Sequence, residues 1–148
     1  MRISQAQALF RSLGIKCRVD VFQSGRGTNA YESLLVFVEQ YFSAPTSIPP
    51  AENDPKIQNT RHPPIYLQCP GHSMTIIGLE IRTNGSRNLL VFDPAYQPSI
   101  GMKYLLSENL EIPKPGWILG RYRPGARQLR KLEGFEALRL FGPTPVAA

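Results

Sequence analysis

The feature that most constrains the fold of this 148-residue chain is a pair of β-dense segments joined by a short polar connection. Residues His72–Ile81 and Asn88–Asp93 are rich in leucine and β-branched side chains, which favour extended backbone. Asn84-Gly85 lies between them, and this dipeptide is the strongest short-range signal for a β-hairpin. The run Asn88–Phe92 is almost wholly apolar, so we expect this strand to be buried on both faces.

Helices and strands are predicted to alternate around this hairpin. Before it, the patterns predict helices at Ser4–Leu13, with Ser4 as the N-cap, and at Ala30–Phe42. They also predict strands at Ile15–Val21 and Ile65–Gln68. A turn is expected at Ser24–Gly27 and a long loop at Ser43–Pro64. After it, they predict helices at Tyr104–Leu110 and Gly125–Leu132, a break at Pro113–Gly116, a strand at Phe135–Phe141 and a disordered tail at 142–148. This order favours an α+β fold with an antiparallel sheet, as one domain over residues 1–141.

The charge balance is basic, with a formal net charge of +6. A basic chain favours acidic partners of several kinds, so a nucleic-acid-binding domain stays open as an alternative function. The basic residues closest to forming a binding stripe are Arg121, Arg123, Arg127, Arg130 and Lys131. Because such runs usually form a solvated face, we do not expect a nucleic acid partner.

Cysteine content and hydropathy bear on the compartment. The two cysteines make no disulfide framework, and the N-terminus shows no signal-peptide pattern. No apolar run approaches the roughly 20 residues that span a bilayer. We therefore expect an intracellular protein of the cytoplasm, the nucleus or both, with no membrane partner.

The candidate catalytic residues of the hairpin are a histidine at the start of its first strand and an aspartate at the end of its second strand. His72 follows Gly71 at the start of the first strand, and Asp93 ends the second strand 21 residues later. A loop centred near residues 82 and 83 would set the two opposite each other, whereas a tight turn at Asn84-Gly85 would need a β-bulge to do so. A carboxylate beside an imidazole fixes its tautomer, and the imidazolium lowers the pKa of a neighbouring cysteine thiol. The alternative is a backbone-bonded histidine and a turn-forming Asp-Pro.

Four short stretches together resemble a known peptidase family. They are Pro63–Gln68, Gly71–Ser73, Thr75–Gly78 and Leu90–Pro94. They are similar to the C-terminal catalytic segment of the ubiquitin-fold-modifier-specific proteases, a papain-like cysteine peptidase family, and most of all to its zinc-finger-containing deubiquitinase branch. The likeness runs from about Ala6 to Pro94, and weakly to Leu140.

The resemblance implies an activity and a site. It implies a papain-like fold and hydrolysis of peptide or isopeptide bonds after the C-terminal glycine of ubiquitin or a ubiquitin-like modifier. It also implies that His72 and Asp93 are catalytic, with conjugates of ubiquitin or a related modifier as partners.

The family's nucleophile is not found in this sequence. The family pattern places it in a Cys-Gly-Tyr-Arg-like motif at the start of a helix, and this chain has no Cys-Gly dipeptide. The motif would precede Met1, so we expect the N-terminal nucleophile helix to be missing and the chain alone to be inactive. Cys17 alternates with apolar residues and is expected in the core, and Cys69 is too close in sequence to His72 for in-line attack.

Two consequences are expected from a missing helix. Apolar side chains near Ile76 and Val91 should be exposed, and the isolated chain should aggregate or need a partner. A non-catalytic module that binds a ubiquitin-like partner remains the second hypothesis, in which replacing His72 leaves binding unchanged.

No cofactor is predicted. A zinc site would have to use Cys17, His62, Cys69 and His72. Neither the cysteines nor the histidines have familiar ligand spacing, so we expect neither a metal nor another cofactor. Gln68 is expected to be exposed or bonded to backbone rather than part of the site, and Trp117 to serve in packing.

Overall fold

The structure is a computed structural model that describes residues 1–45, 56–105, 107 and 115–141. Its helices and strands are α1 (Ile3–Ser12), β1 (Cys17–Gln23), α2 (Ala30–Ser43), β2 (Ile65–Cys69), β3 (His72–Ile81), β4 (Arg87–Phe92), α3 (Ile100–Leu105), α4 (Pro115–Ile118), α5 (Ala126–Leu129) and β5 (Gly134–Leu140). A 3₁₀ turn, Leu119–Tyr122, follows α4 directly.

A five-stranded sheet with the order β1-β5-β2-β3-β4 organises these elements. Every neighbouring pair in it is antiparallel, which confirms the predicted α+β class. β5 is last in the chain but lies between β1 and β2, so it joins the N-terminal part to the central hairpins. The outer edge of β4 is covered where the Leu89 amide donates to the Pro124 carbonyl at 2.9 Å and Asn88 bridges Gly125.

One face of the sheet, called the α2 face below, carries the larger core. Strand residues alternate between the two faces, so side chains two positions apart share a face. The buried residues of this core are Ala30, Leu34, Leu35, Val38, Ile65, Leu67, Cys69, Met74, Ile76, Leu89, Val91, Leu129, Phe135 and Ala137. Helix α2, together with Leu129 of α5, therefore packs on a face whose buried residues come from β2, β3, β4 and β5, with Phe22 of β1 partly buried beside them.

The opposite face, called the α1 face, is covered over a smaller area. Ile3 and Ala6 of α1 pack against Leu138 of β5, and Cys17 and Val19 of β1 pack around them. The α1 face of β3 and β4 lies beyond these contacts. There Phe92 is 61% exposed.

The β3–β4 hairpin turns at the predicted dipeptide. The Gly85 amide donates to the Arg82 carbonyl at 2.9 Å, and Gly85 has a φ of 79°, a left-handed conformation that glycine adopts without strain. From the turn, Ile81 pairs with Arg87 and Gly78 with Leu90. A β-bulge at Ile77 then shifts the register, so that Ile76 pairs with Val91. This is the irregularity that a turn at Asn84-Gly85 was expected to require.

Several predicted bounds differ from those observed. Helix α1 begins at Ile3, so Ser4 is not its N-cap; the flanking residue is Arg2, whose amide donates to the Gln5 side chain at 2.8 Å. The first strand lies two residues later than predicted. Of the predicted break at Pro113–Gly116, residues 113 and 114 lie outside the described residues, and Pro115 and Gly116 begin the separate helix α4, as proline is tolerated in the first helical turn.

Other predictions fall partly outside the described residues. Helix α3 begins at Ile100, four residues before the predicted start, and residues 106 and 108–110 of the predicted helix are not described. Residues 46–55 of the predicted loop and the predicted tail, 142–148, also lie outside the described ranges. The loop's two described ends are held together, because the ring of His62 bonds to the Ala44 carbonyl at 2.8 Å.

Exposed apolar side chains were expected near Ile76 and Val91, and their neighbours Ile77 and Phe92 are exposed, whereas Ile76 and Val91 themselves are buried under α2. Two other burial predictions are wrong. β4 is buried on one face only, since Phe92 points to the α1 face beyond the reach of α1. Trp117, predicted to pack, is 87% exposed on α4.

Within the described ranges, no helix combines the length and the apolar character that crossing a bilayer requires.

Candidate active site

A tight turn between β2 and β3 places the predicted histidine. Cys69 pairs with His72, so Pro70 and Gly71 are the two central residues of the turn. Gly71 has a φ of 74°, and proline followed by glycine with positive φ is the pattern of a type II turn. His72 is therefore fixed as the first residue of β3, at the end of the sheet. The Pro-Gly dipeptide is a sequence signal for this turn that the strand prediction did not use.

The hairpin brings His72 and Asp93 into contact. The Nε2 atom of His72 lies 2.6 Å from Oδ2 of Asp93. Continuing the register beyond the last pair, Thr75 with Phe92, sets Asp93 opposite Met74. Met74 and His72 share a face of β3, so the bulge at Ile77 puts the carboxylate on the side of the sheet where the imidazole lies.

The carboxylate is held from both sides. The side chain of Asp93 is only 3% exposed, and that of His72 is 36% exposed. The other oxygen of Asp93, Oδ1, accepts from the Ala95 amide at 2.9 Å, and the Tyr96 amide donates to the Asp93 carbonyl at 3.1 Å. An aspartate bonded to the amide two residues on is a common turn, and Pro94 suits it. Asp93 is therefore oriented by its own turn before it meets His72.

The contact assigns the hydrogen on the imidazole. A carboxylate oxygen only accepts, so the Nε2–H of His72 donates to Asp93. In the neutral ring, the other nitrogen, Nδ1, then has a lone pair and can take up a proton. Nδ1 has no hydrogen-bond partner in the part of the chain that the structure describes. No buried side-chain nitrogen or oxygen of the described residues lacks a partner, so Nδ1 is open to solvent.

A cleft of about 490 Å³ opens beside this histidine. Its lining residues come from the chain before α1, the β2–β3 turn and the segment after β4: Met1, Arg2, Gln68, Gly71, His72, Ser73, Pro94 and Ala95. The cleft lies at the end of the sheet, where residues from both faces meet. No sequence signal indicated that Met1 and Arg2 would contribute, because they lie 70 residues or more before His72.

The two cysteines are a buried thiol close to His72 in sequence and a distant thiol on β1. The Cys69 thiol is buried and donates to the His72 carbonyl at 3.5 Å. Burial raises the pKa of the Cys69 thiol, and the charge of Asp93 raises it further, so the reactive thiolate is disfavoured. Cys17 pairs with Leu140, whereas Gln68 pairs with Glu136, so Cys17 lies toward the other end of the sheet. It is three strands from β3, roughly 14 Å at 4.8 Å per strand.

The other candidate sites are not assembled. In the described part of the chain, no group of three or more histidine, cysteine, aspartate or glutamate side chains could hold a metal ion. Part of the basic run is engaged within the chain: Arg123 pairs with Glu80, and Arg121 lies over the Tyr96 ring at 5.5 Å. These contacts leave fewer charges of that run for a nucleic acid.

Comparison with known proteins identifies a family and relatives that match most of this chain. The model of peptidase family C78 matches residues 4–138. Zinc finger-containing ubiquitin peptidase 1 of Mus musculus is 38% identical over 127 residues, which cover 85% of this chain and 19% of the relative. The Rattus norvegicus protein of the same name is 36% identical with the same coverage, and that of Homo sapiens is 36% identical over 104 residues, or 70% of this chain.

The match confirms the family and branch inferred from the sequence. This chain spans 19% of the length of the mouse and rat relatives, so the activity of those whole proteins does not transfer to it directly. The antiparallel sheet with helices on both faces agrees with the papain-like fold expected of the family. With 135 of 148 residues inside the matched range 4–138, the chain belongs to peptidase family C78.

Proposed function

We propose that this chain supplies the general base and its orienting carboxylate to a thiol peptidase site that acts after the C-terminal glycine of ubiquitin or a ubiquitin-like modifier. The observation that carries the proposal is the 2.6 Å contact between His72 and Asp93 at the rim of the cleft. The similarity to proteins named ubiquitin peptidase supports the choice of substrate. The expected compartment is intracellular, where such conjugates occur.

Each residue of the pair has one role in this mechanism. Nδ1 of His72 accepts the thiol proton, and the thiolate attacks the carbonyl carbon of the scissile bond. The imidazolium then gives the proton to the leaving amine, and the acyl thioester is hydrolysed by water with the same base. Asp93 holds the ring by Nε2 and stabilises its charged form, so Nδ1 faces the cleft throughout.

The thiol in this mechanism is neither Cys17 nor Cys69. Both cysteines of the chain are described, and the structure disfavours ionisation of Cys69 and separates Cys17 from the site. We therefore propose that this polypeptide alone does not hydrolyse conjugates and that the nucleophile is supplied by another polypeptide segment.

The absence of turnover is tested with ubiquitin carrying a fluorogenic amine at its C-terminus. We expect no release of fluorophore above the buffer rate. Robust turnover that is lost in Cys69→Ser would show that the nucleophile argument is wrong.

A chimera tests the catalytic pair where a nucleophile is available. The matched segment of the mouse relative is replaced with residues of this chain, and release of the fluorophore is measured. We expect a cleaving chimera, with kcat reduced about 10²–10⁴-fold by His72→Ala, as for loss of a general base. Asp93→Ala should also lower kcat, and Glu133→Ala, which removes an exposed carboxylate in the bend before β5, serves as the control. An active chimera that tolerates His72→Ala would refute the base assignment.

A non-catalytic binding module remains the second candidate, favoured by the placement of both cysteines. It predicts that the chimera is inactive, that the chain still binds ubiquitin, and that His72→Ala leaves the Kd unchanged. Binding assays on the same variants therefore separate the two functions.

A further inference from the structure

We propose that the outer edge of β1 pairs with the same edge of a second copy of this chain, which joins the two sheets into one continuous antiparallel sheet. The dimer does not depend on the proposed peptidase function, because β1 contributes no residue to the cleft beside His72. It rests on the backbone groups along this edge and on the order of the charged side chains there.

The two edges of the sheet differ in how they are covered. At β4, the Leu89 amide donates to the Pro124 carbonyl, and Asn88 bridges Gly125. At β1, no strand or bridge of the described residues lies beyond the outer edge. The strand pairs with β5 over its whole length without a register shift, so its outer edge is regular. A regular edge with unpaired amides and carbonyls is a template for another strand.

The hydrogen bonds at the two ends of β1 show which backbone groups face outward. The Phe141 amide donates to the Lys16 carbonyl and the Ser24 amide to the Glu133 carbonyl, both at 2.9 Å. In an antiparallel ladder, residues that bond to one neighbouring strand alternate with residues whose groups face the other side. Even-numbered residues of β1 therefore bond to β5. The residues whose amides and carbonyls face outward are Cys17, Val19, Val21 and Gln23.

The charges along β1 select one register for two copies. A two-fold interface brings the same patch of both copies together, and outward-facing residues must pair with each other. With Val19 opposite Val19 of the second copy, Arg18 lies opposite Asp20 of the second copy, and symmetry repeats this pair. Moving the two-fold axis by one residue places either two Arg18 or two Asp20 side chains opposite each other, and like charges in that position are destabilising.

Both faces of the joined strands are complementary in this register. On the α1 face, Val21, which is 58% exposed, lies opposite Cys17 of the second copy, and the two Val19 side chains meet at the axis. On the α2 face, the Arg18 side chain is 67% exposed and lies 3.3 Å from its own Asp20. Pairing therefore covers an exposed valine and brings a second carboxylate to each Arg18 guanidinium.

The helices on the two faces leave room for a second copy. Ile3 and Ala6 pack α1 against Leu138 of β5, so the two α1 helices would lie three strand spacings apart. That is roughly 14 Å at 4.8 Å per strand, more than the roughly 8–10 Å between packed helices. Helix α2 reaches β1 through Phe37, whose ring centroid is 5.1 Å from that of Phe22. The two copies of Phe22 would be roughly 20 Å apart along the strands at 3.3 Å per residue.

The two-fold axis also separates the candidate sites. Gln68 of the cleft pairs with Glu136 of β5, which pairs with Val21, so the cleft lies toward the C-terminal end of β1. Because the two β1 strands run in opposite directions, the two clefts lie at opposite ends of the joined sheet. Pairing through β1 therefore covers neither cleft.

Sedimentation equilibrium of the whole chain tests the pairing. An interface of one strand edge belongs to the small, weak class, so concentrations from about 10 µM to about 1 mM are needed. We expect a monomer–dimer equilibrium with a dimer fraction that rises over this range. Monomer alone at the highest concentration, or open-ended association without a defined dimer, would overturn the proposal.

Two variants test the edge and its register. Val21→Pro removes an outward-facing N–H that β5 does not use, and Val21→Thr is its control because it keeps the N–H and the branched side chain. Arg18→Glu sets like charges opposite each other, and Arg127→Glu makes the same change of net charge at an exposed position on α5.

Both test variants should weaken the dimer while both controls leave it unchanged. We expect Val21→Pro and Arg18→Glu to raise the dimer Kd about ten-fold or more, because each change acts twice across the two-fold axis. A Kd unchanged by Arg18→Glu would refute the register, and a Kd unchanged by Val21→Pro would refute the use of this edge.

Hydrogen exchange of the wild-type protein covers variants that fail to fold. The amides of Val19 and Val21 should exchange more slowly at about 1 mM than at about 10 µM, because the dimer gives them partners. The amides of Arg18 and Asp20 bond to β5 at both concentrations and should not respond. Exchange of Val19 and Val21 that is the same at both concentrations would refute pairing at this edge, even where a dimer is found.

Discussion

Replacing two neighbouring isoleucines tests which face of β3 is covered. Ile76 is fully buried under α2, whereas Ile77, at the bulge, is 42% exposed. Truncation to alanine removes three carbons, or about 2.4 kcal/mol of transfer free energy at about 0.8 kcal/mol per carbon. At Ile76 a cavity term adds to this, so we expect Ile76→Ala to lower the free energy of unfolding by about 3–4 kcal/mol. Ile77→Ala should cost about 1 kcal/mol, since solvent already reaches that side chain.

Urea unfolding followed by circular dichroism measures both losses under one condition. With a slope of roughly 1–3 kcal/mol per molar urea, a difference of about 2 kcal/mol separates the two midpoints by about 0.7–2 M. If Ile76→Ala does not fold, Ile76→Val and Ile77→Val give the same ranking at about 0.5–1.5 kcal/mol and near zero. Equal losses, or a greater loss at Ile77, would show that the register across the bulge is wrong, and the placement of Asp93 would be wrong with it.

The remaining predictions concern two titratable side chains. Because burial raises the pKa of Cys69, iodoacetamide at pH 8 should modify it much more slowly in the folded protein than in urea; equal rates by mass spectrometry would contradict this. Hydrogen bonds from Arg123 and, to a lesser extent, Asn88 hold the pKa of Glu80 below its usual value, although burial raises it. Its contribution to stability is then present above about pH 4.5 and is lost as the pH falls through the lowered pKa. Glu80→Gln should cost about 1 kcal/mol at pH 7 and progressively less below pH 4.5; a loss independent of pH would contradict the ion pair.

The hairpin and the pairing of His72 with Asp93 could be predicted because their signals are local. Asn84-Gly85 fixes the turn, and strand period then determines which residues approach each other. What the sequence left open was a one-residue irregularity, since the bulge at Ile77 depends on packing against other elements. The predicted bounds of β3 were correct because this signal is local as well. Apolar and β-branched residues are frequent up to Ile81, and an arginine and a polar loop follow.

Burial was harder to predict, because the alternation of side chains along a strand separates its two faces but does not show which face a helix covers. Ile76 and Val91 share a face, as period two requires, yet only the path of α2 makes that face the inner one. Phe92 carries as much apolar signal as its neighbours and is exposed because α1 packs on β1 and β5 instead. Trp117 shows the same limit on α4, where its large apolar side chain suggests burial but is 87% exposed.

The cleft is lined by residues that are far apart in the sequence, and they can meet only where the strands end. His72 belongs to the α2 face and Gln68 to the α1 face, so within the sheet their side chains would point apart. At the Pro70-Gly71 turn the strand ends, and Gly71 contributes no side chain between them. Both groups can then border one cleft, with Asp93 holding the imidazole from the core side and Ile3 holding the amide from the other. The imidazole and the amide are thus fixed from opposite faces of the sheet, and under the proposed function the space between them receives both the substrate and the nucleophile.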